Sequence, residues 1–221
     1  MPPLSPEAFV AELAAENEAA LARIGASAST GDPGPEVTIP KLLTLALKNE
    51  LEATECAAAW LPSTPEVSVK LALARQAGDE AKHYRLIAKR LGELGVDVSK
   101  HDPLATGRSP LLTWLLGLEG TVARVAAGQF TREGLALVRN EAFIKYCRAQ
   151  EDHATAMLYA DTIQPDETHH HELGRTLLLE LATTDDAQQA AREASRKVLA
   201  MAEELQEIAR LKAGITRAPG C

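Results

Sequence analysis

Two short stretches of this 221-residue chain carry the same set of donors. Gly78-Asp79-Glu80-Ala81-Lys82-His83 and Pro165-Asp166-Glu167-Thr168-His169-His170 each place a glutamate three residues before a histidine, with an aspartate directly before the glutamate. On a helix, residues three apart leave the same face one turn from each other. A carboxylate and an imidazole so spaced can reach one metal ion. Two further glutamates fall on apolar stripes of helical patterns. Glu50 lies between Leu47 and Thr54, and Glu119 lies between Leu115 and Val122. An unpaired carboxylate buried on an inner face costs several kcal/mol, so each such acid calls for a compensating charge.

The elements that must position these residues are helices. Alanine, leucine and glutamate dominate the chain, while aromatic residues make up 4 %. Unbranched side chains lose little rotamer freedom in a helix. Ser5-Pro6 opens an N-terminal helix expected to run to about Arg23, followed by a loop from Gly25 to Glu36. The first core helix is expected from about Thr38 to Leu61, with Glu52 and Glu55 on its solvated faces. The second runs from about Pro65 to Gly92, with Leu73, Ala77, Glu80, Tyr84, Ile87 and Leu91 on its stripe. Residues 95–108 read as a linker. Ser109-Pro110 repeats the cap-then-proline signature and opens a third core helix to about Thr131, and residues 133–149 read as a shorter connecting helix. The fourth is expected from Asp152 to about Ala182, bent at Pro165, with a new helix starting at Pro165 as the alternative. Thr184 caps a last helix to about Leu211, and a loose tail follows. The fold class is therefore all-α: a four-helix bundle with an N-terminal helix, a short connecting helix and a C-terminal helix. One domain is expected over 1–221, with 1–37 as arm and loop, 38–183 as metal-binding core and 184–212 as C-terminal helix.

At 1.5 Å rise per residue, Glu50 and Glu119 lie about 20 Å from the ends of their helices, and Glu80 and Glu167 about 23 Å from the starts of theirs. Four antiparallel helices would bring Glu50, Glu80, His83, Glu119, Glu167 and His170 to one level. Four carboxylates balance two divalent ions, and imidazole suits iron. One glutamate from each of two helices and Glu-x-x-His from two others is the donor set of di-iron and di-manganese carboxylate bundles.

On these residues the chain resembles the ferritin-like di-metal carboxylate superfamily. Leu118-Glu119-Gly120-Thr121 is similar to the third-helix Glu-Gly of ribonucleotide reductase small subunits and their ligand-binding oxidase relatives. The resemblance implies that Glu80 and Glu167 bridge two metals, that Glu50 and Glu119 each hold one, and that His83 and His170 supply the nitrogens. It further implies two iron ions (or manganese), O₂ or peroxide and a small-molecule substrate as reactants, and a possible homodimer. The interval between Glu119 and Glu167 is longer than in those relatives by about one short helix, which leaves Glu133 and Glu141 as alternative third-helix ligands.

Other residues read more plainly. His169 and His171 point to other faces than His170, exposed or supporting the site from outside. Asp79 and Asp166 are either solvated acids or acceptors for the second N–H of a ligand histidine on another helix. Tyr84, beside His83, reads as a core tyrosine, although the resemblance offers it a redox role. Trp60 and Trp114 read as packing. Cys56, Cys147 and Cys221 form no metal or redox spacing. A net charge of −8 argues against binding nucleic acid or anionic membrane. With no readable signal peptide or apolar span, a soluble cytoplasmic protein is expected. An oxidoreductase using a di-iron centre fits these features best. Iron storage or detoxification, a manganese catalase-like activity, and a helical scaffold without a working metal site are the alternatives.

Overall fold

The computed structural model describes residues 3–30 and 37–220. Half of the expected 25–36 loop, from 31 to 36, lies outside the described residues, as does Cys221. Among the described residues every regular element is helical: α1 (Pro6–Thr30), α2 (Ile39–Trp60), α3 (Val67–Glu93), α4 (Pro110–Leu116), α5 (Thr121–Val125), α6 (Glu133–Ala149), α7 (His153–Leu158), α8 (Gln164–Leu181) and α9 (Asp185–Ala213). Two π-helical segments, Ala126–Arg132 and Tyr159–Ile163, join α5 to α6 and α7 to α8 without interruption. The result is two long continuous helices over 121–149 and 153–181.

Side chains at the ends explain most of the boundaries. Thr38, Ser109, Asp152 and Thr184 each accept a hydrogen bond from the backbone N–H three residues on, the N-cap bond that satisfies an otherwise orphaned donor. Gly214 closes α9 at φ 64°, a left-handed conformation that suits glycine. Asp152 also binds Arg90 of α3 through Nη2 at 2.8 Å, which fixes the start of the fourth long helix against the second.

Two expectations fail at the third helix. Gly120 takes φ 80°, so the pattern opened by Ser109 stops at Leu116 and a new helix starts at Thr121. The polar run Thr131-Arg132-Glu133, expected to end a helix, lies instead inside one. At Pro165 the helix continues. A proline lacks the N–H for a bond to residue i−4 and crowds that carbonyl. The wide turn before it, where Gln164 N–H bonds Tyr159 O five residues back, opens the ladder at that point. α1 also runs past Gly25 to Thr30. Residues 215–220 are not loose, because Ile215, Thr216, Pro219 and Gly220 are buried. Asn49 Nδ2 donates to Pro219 O at 3.0 Å and Gly220 N–H donates to Asn140 Oδ1 at 2.8 Å.

The chain direction follows from two apolar clusters. One gathers Cys56, Trp60, Leu73, Phe130, Leu177 and Leu178; the other gathers Leu43, Leu47, Ile87, Leu91, Phe143 and Tyr159. α2 runs from the second cluster to the first, α3 returns, the 121–149 helix repeats the direction of α3, and the 153–181 helix reverses it. The second and third long helices are therefore parallel, not antiparallel as expected, and residues 94–120 cross the length of the bundle between them. α1 and α9 lie alongside, parallel to each other, joined by Arg192–Glu12, Arg196–Glu16 and Arg23–Glu203 ion pairs. No helix among the described residues is long and apolar enough to cross a membrane.

Gly174 of α8 makes a close helix approach in the core. A Cβ there would lie 2.7 Å from Gln129 C and Phe130 N, both backbone atoms of the first π-helical segment. Backbone in a packed core yields little. Gly174→Ala is therefore expected to destabilise the protein by about 1–3 kcal/mol in urea unfolding, although alanine is the better helix former. An unchanged or raised midpoint would show that the two helices are not in contact there.

Candidate metal centre

Between the two apolar clusters lies a polar layer. Each long helix enters it about halfway along and contributes at least one buried group: Glu50 from α2, Glu80 and His83 from α3, Glu133 from the third, Glu167 and His170 from the fourth. All six are at most 3 % exposed. Their potential ligand atoms form two groups, Glu50–Glu80–His83–Glu167 and Glu80–Glu133–Glu167–His170, and within each group the atoms lie within 4.8 Å of one another. Glu80 and Glu167 belong to both.

Five of the six residues singled out in the sequence are thus brought together. Glu119 is not among them. It is exposed, in the break between α4 and α5, because Gly120 ends the helical pattern that seemed to place it inside. Its position in the cluster is taken by Glu133, the first residue after the π-helical segment. Glu133 N–H bonds Gly128 O, five residues back. Glu141 is also exposed and pairs with Lys145 at 3.2 Å.

The two histidines are held in matching ways. His83 Nε2 faces Asp166 Oδ2 at 3.1 Å, and His170 Nε2 faces Asp79 Oδ2 at 3.2 Å. Each aspartate belongs to the opposite helix and directly precedes that helix's cluster glutamate. A carboxylate only accepts, so Nε2 carries a proton and Nδ1 is the nitrogen turned to the cluster, where it could offer its lone pair to a metal in place of a proton. His83 Nδ1 lies 3.3 Å from Glu80 and 3.4 Å from Glu50, and His170 Nδ1 lies 3.2 Å from Glu167 and 3.6 Å from Glu80. A basic side chain balances each outer aspartate: Lys82 Nζ bonds Asp166, and Arg75 pairs with Asp79 at 3.3 Å. These contacts resolve the two readings of Asp79 and Asp166 in favour of histidine support.

Several contributors were not apparent from the sequence. Gln76 Nε2 donates to Glu133 Oε1 at 2.6 Å. Its position four residues before Glu80, on the same face of α3, was the available signal. Tyr159, fully buried in the second π-helical segment, has a hydroxyl with no hydrogen-bond partner. Burial, with the charges of Glu50, Cys147 and Glu167, pushes its pKa well up. Tyr84 is half-buried against the second apolar cluster, as a packing residue would be. Trp60 and Trp114 pack in the first. His171 stacks on Phe130 and its Nδ1 lies 2.7 Å from the Phe130 carbonyl in the π-helical segment. Glu52 is buried, not solvated as expected. It accepts from the backbone N–H and hydroxyl of Ser109 at 2.7 and 2.5 Å, pinning the start of α4 to α2.

The electrostatics of the layer call for cations. Burial above all pushes Glu50 up to about 8. Burial acts the same way on Glu80, but hydrogen bonds from His83 and Glu50 hold it down at about 2. Burial and the charge of Glu80 raise Glu133. Burial works to lower His83, yet Glu50 and Glu80 override it and carry the imidazole up to about 11. Protons thus stand where positive charge is needed. Glu133 Oε2, directed at the layer, has no hydrogen-bond partner, and His83 Nδ1 meets only the carboxylate oxygens of the layer, the nearest at 3.3 Å. Donors so presented, with four carboxylates around them, could hold metal cations.

Set against known proteins, the chain matches no family model, no curated protein and no solved structure. The geometry of the cluster therefore carries the functional reading.

Two outcomes follow from this geometry. Glu133→Gln is expected to weaken metal loading by roughly tenfold or more, measured by titration with metal analysis, whereas Glu119→Gln leaves loading unchanged; the reverse pattern would exclude Glu133. The second concerns pH. Folding raises Glu50 from 4.5 to about 8 and His83 from 6.5 to about 11. The folded chain then binds more protons than the unfolded one, so the stability from these groups is lost as pH rises. Glu80, held low, contributes an opposite slope only below its ordinary 4.5. Metal-stripped protein should therefore melt at lower temperature at pH 9 than at pH 6.5, because across this span folded Glu50 gives up its proton near 8 while the unfolded chain has already lost the His83 proton that the folded chain keeps to about 11. A melting temperature that climbs across it would contradict the assignment.

Proposed function

We propose that the protein is a di-metal carboxylate oxidoreductase of the ferritin-like kind. It would hold two iron ions (manganese being the alternative) and use them with O₂ or peroxide on a small organic substrate. The observation that carries this reading is the pair of buried ligand groups sharing Glu80 and Glu167, each completed by a histidine whose Nε2 is engaged by an aspartate from the opposite helix. The up–down–down–up order of the long helices, with one connection crossing the bundle, supports the ferritin-like build.

Glu50, Glu80, His83 and Glu167 would hold one ion, and Glu80, Glu133, Glu167 and His170 the other. When bound, the pair supplies two adjacent redox-active ions able to deliver electrons to an oxidant together. The chain's own residues do the rest. Asp166 and Asp79 keep the imidazoles in the tautomer that presents Nδ1. Gln76 holds Glu133 in place through one carboxylate oxygen and leaves the other toward the layer. The apolar clusters above and below exclude water, which strengthens every charge interaction between them. A structural ion pair on a scaffold helix would not need a two-fold pattern of four carboxylates and two supported imidazoles at one depth.

The protein loaded anaerobically with ferrous iron is expected to bind two ions per chain and to consume O₂ on exposure to air. Loss of both behaviours in Glu80→Ala would tie them to the layer. Absence of bound iron or manganese in either oxidation state would overturn the reading. Elution as a very large cage would turn it toward iron storage, and oxygen release from peroxide by manganese-loaded protein toward a catalase-like reaction.

A further inference from the structure

A pocket of about 210 Å³ lies on the flank of the bundle between α2, α4, the third long helix, α9 and the 215–218 segment. α2 packs mainly on α3, and the third helix mainly on α8, α1 and α9, so this is the side on which α2 and the third helix leave room between them. The space exceeds the roughly 150 Å³ of an apolar cavity able to take up benzene, which suits a body of about six to eight non-hydrogen atoms. Its walls are aliphatic, from Leu45, Leu112, Leu115, Leu205 and Ile215. The charged lining groups are already engaged within the protein. Lys48 Nζ donates to Gly107 O at 2.6 Å and to Thr106 Oγ1 at 3.2 Å, and lies 3.9 Å from Glu52. Glu52 accepts two hydrogen bonds from Ser109. Arg139 Nη2 donates to Ala202 O at 3.3 Å, and Arg132 is close enough to Glu133 for its charge to favour that carboxylate. The amides of Asn49 and Gln206 donate to Pro219 O and Ile24 O. A charged ligand would meet no unspent counter-charge here and would lose its hydration on entry. One lining group differs. Thr216 is 6 % exposed, and its hydroxyl has no hydrogen-bond partner. A hydroxyl can turn to donate or to accept, and the cost of leaving it unpaired in a dry wall is removed by a polar atom of a ligand.

From this combination we infer that the pocket binds a small neutral aliphatic alcohol, with its chain against the leucine walls and its hydroxyl against Thr216 Oγ1. Apolar surface gives the affinity and Thr216 the orientation. The lack of unspent charge in the lining excludes acids and amines of the same length. A role for such a molecule as the substrate class of the di-metal centre rests on the reading above; its binding does not.

The test is a ligand-observed NMR titration of the full chain with 1-hexanol, 1-chlorohexane, hexanoate and hexylamine. It is run on protein as purified and after metal stripping, with metal content measured on the same samples. 1-Hexanol is expected to bind saturably, and hexanoate and hexylamine at least about tenfold more weakly. Thr216→Val, which keeps the shape and removes the hydroxyl, should weaken 1-hexanol by roughly three- to tenfold and leave 1-chlorohexane unchanged. Leu112→Trp, which fills the pocket, should weaken both. In ¹H–¹⁵N spectra of the unaltered chain, 1-hexanol should shift the amide signals of Leu112, Leu205 and Thr216, a readout that needs neither variant to fold. The inference is overturned by absence of saturable 1-hexanol binding, by shifts confined to other parts of the chain, by equal or tighter binding of hexanoate or hexylamine, or by a Thr216→Val chain that binds 1-hexanol as before. Because binding is read with and without metal, a chain that loads two ions but ignores 1-hexanol refutes the pocket alone. A chain that binds 1-hexanol but no metal refutes only the di-metal reading.

Discussion

Carboxylates do not share a dry interior with one another unless positive charge joins them. Glu50, Glu80, Glu133 and Glu167 meet in a layer sealed between two apolar clusters, and the rest of the architecture is arranged around that cost. Two histidines enter the layer with one nitrogen each. Two aspartates outside it hold the other nitrogens, and Lys82 and Arg75 neutralise the aspartates. Positive charge is thus supplied from the rim inward, and the centre is left for cations or protons. With protons, the layer is a compromise in which Glu50 and Glu80 are driven in opposite directions. With two divalent ions, the four negative charges are matched.

The helices that carry the layer are not regular, and their irregularities sit where they bear on it. Glu133 follows directly on one π-helical segment, and the other ends four residues before Glu167. A wide turn inserts a residue and rotates everything after it relative to what came before. The second also lets a proline stand inside a continuous helix. Gly174 allows the first segment to lie against α8 at backbone contact distance. α1, α9 and the 215–220 segment then cover the flank of the third helix and the end of the layer near Asn49 and Glu50.

Much of this was legible in the sequence. Helix-forming composition, apolar stripes and capping residues located α2, α3 and α9 to within two or three residues. The repeated Asp-Glu-x-x-His pattern located α3 and α8 as the elements bearing histidine, because a three-residue spacing has one meaning on a helix. The third helix was misread for physical reasons. Ser109 and Pro110 do cap a helix, but a positive φ at Gly120 ends the pattern, and a glycine's φ is not visible in an apolar stripe. Conversely, Thr131-Arg132-Glu133-Gly134 resembles a helix end, yet Gly134 is helical, and its missing Cβ leaves room for the His171 ring. Direction was a further blind spot. Depth along a helix predicts which residues share a level, but not whether neighbouring helices run the same way, so the crossing connection emerged only from the membership of the apolar clusters. Tyr159, close enough to Glu50 and Glu167 to feel their charge, is placed by packing that no spacing rule reports.

The central claim is that two ions sit in the layer with Glu80 and Glu167 between them. Anomalous diffraction at the iron edge, from crystals grown or soaked with ferrous iron without oxygen, tests it most directly. Two peaks are predicted for each chain, one beside Glu50 and His83 and one beside Glu133 and His170, both within bonding reach of Glu80 and Glu167. A layer with no anomalous density, or iron bound only at surface carboxylates such as Glu119 or Glu141, would contradict it.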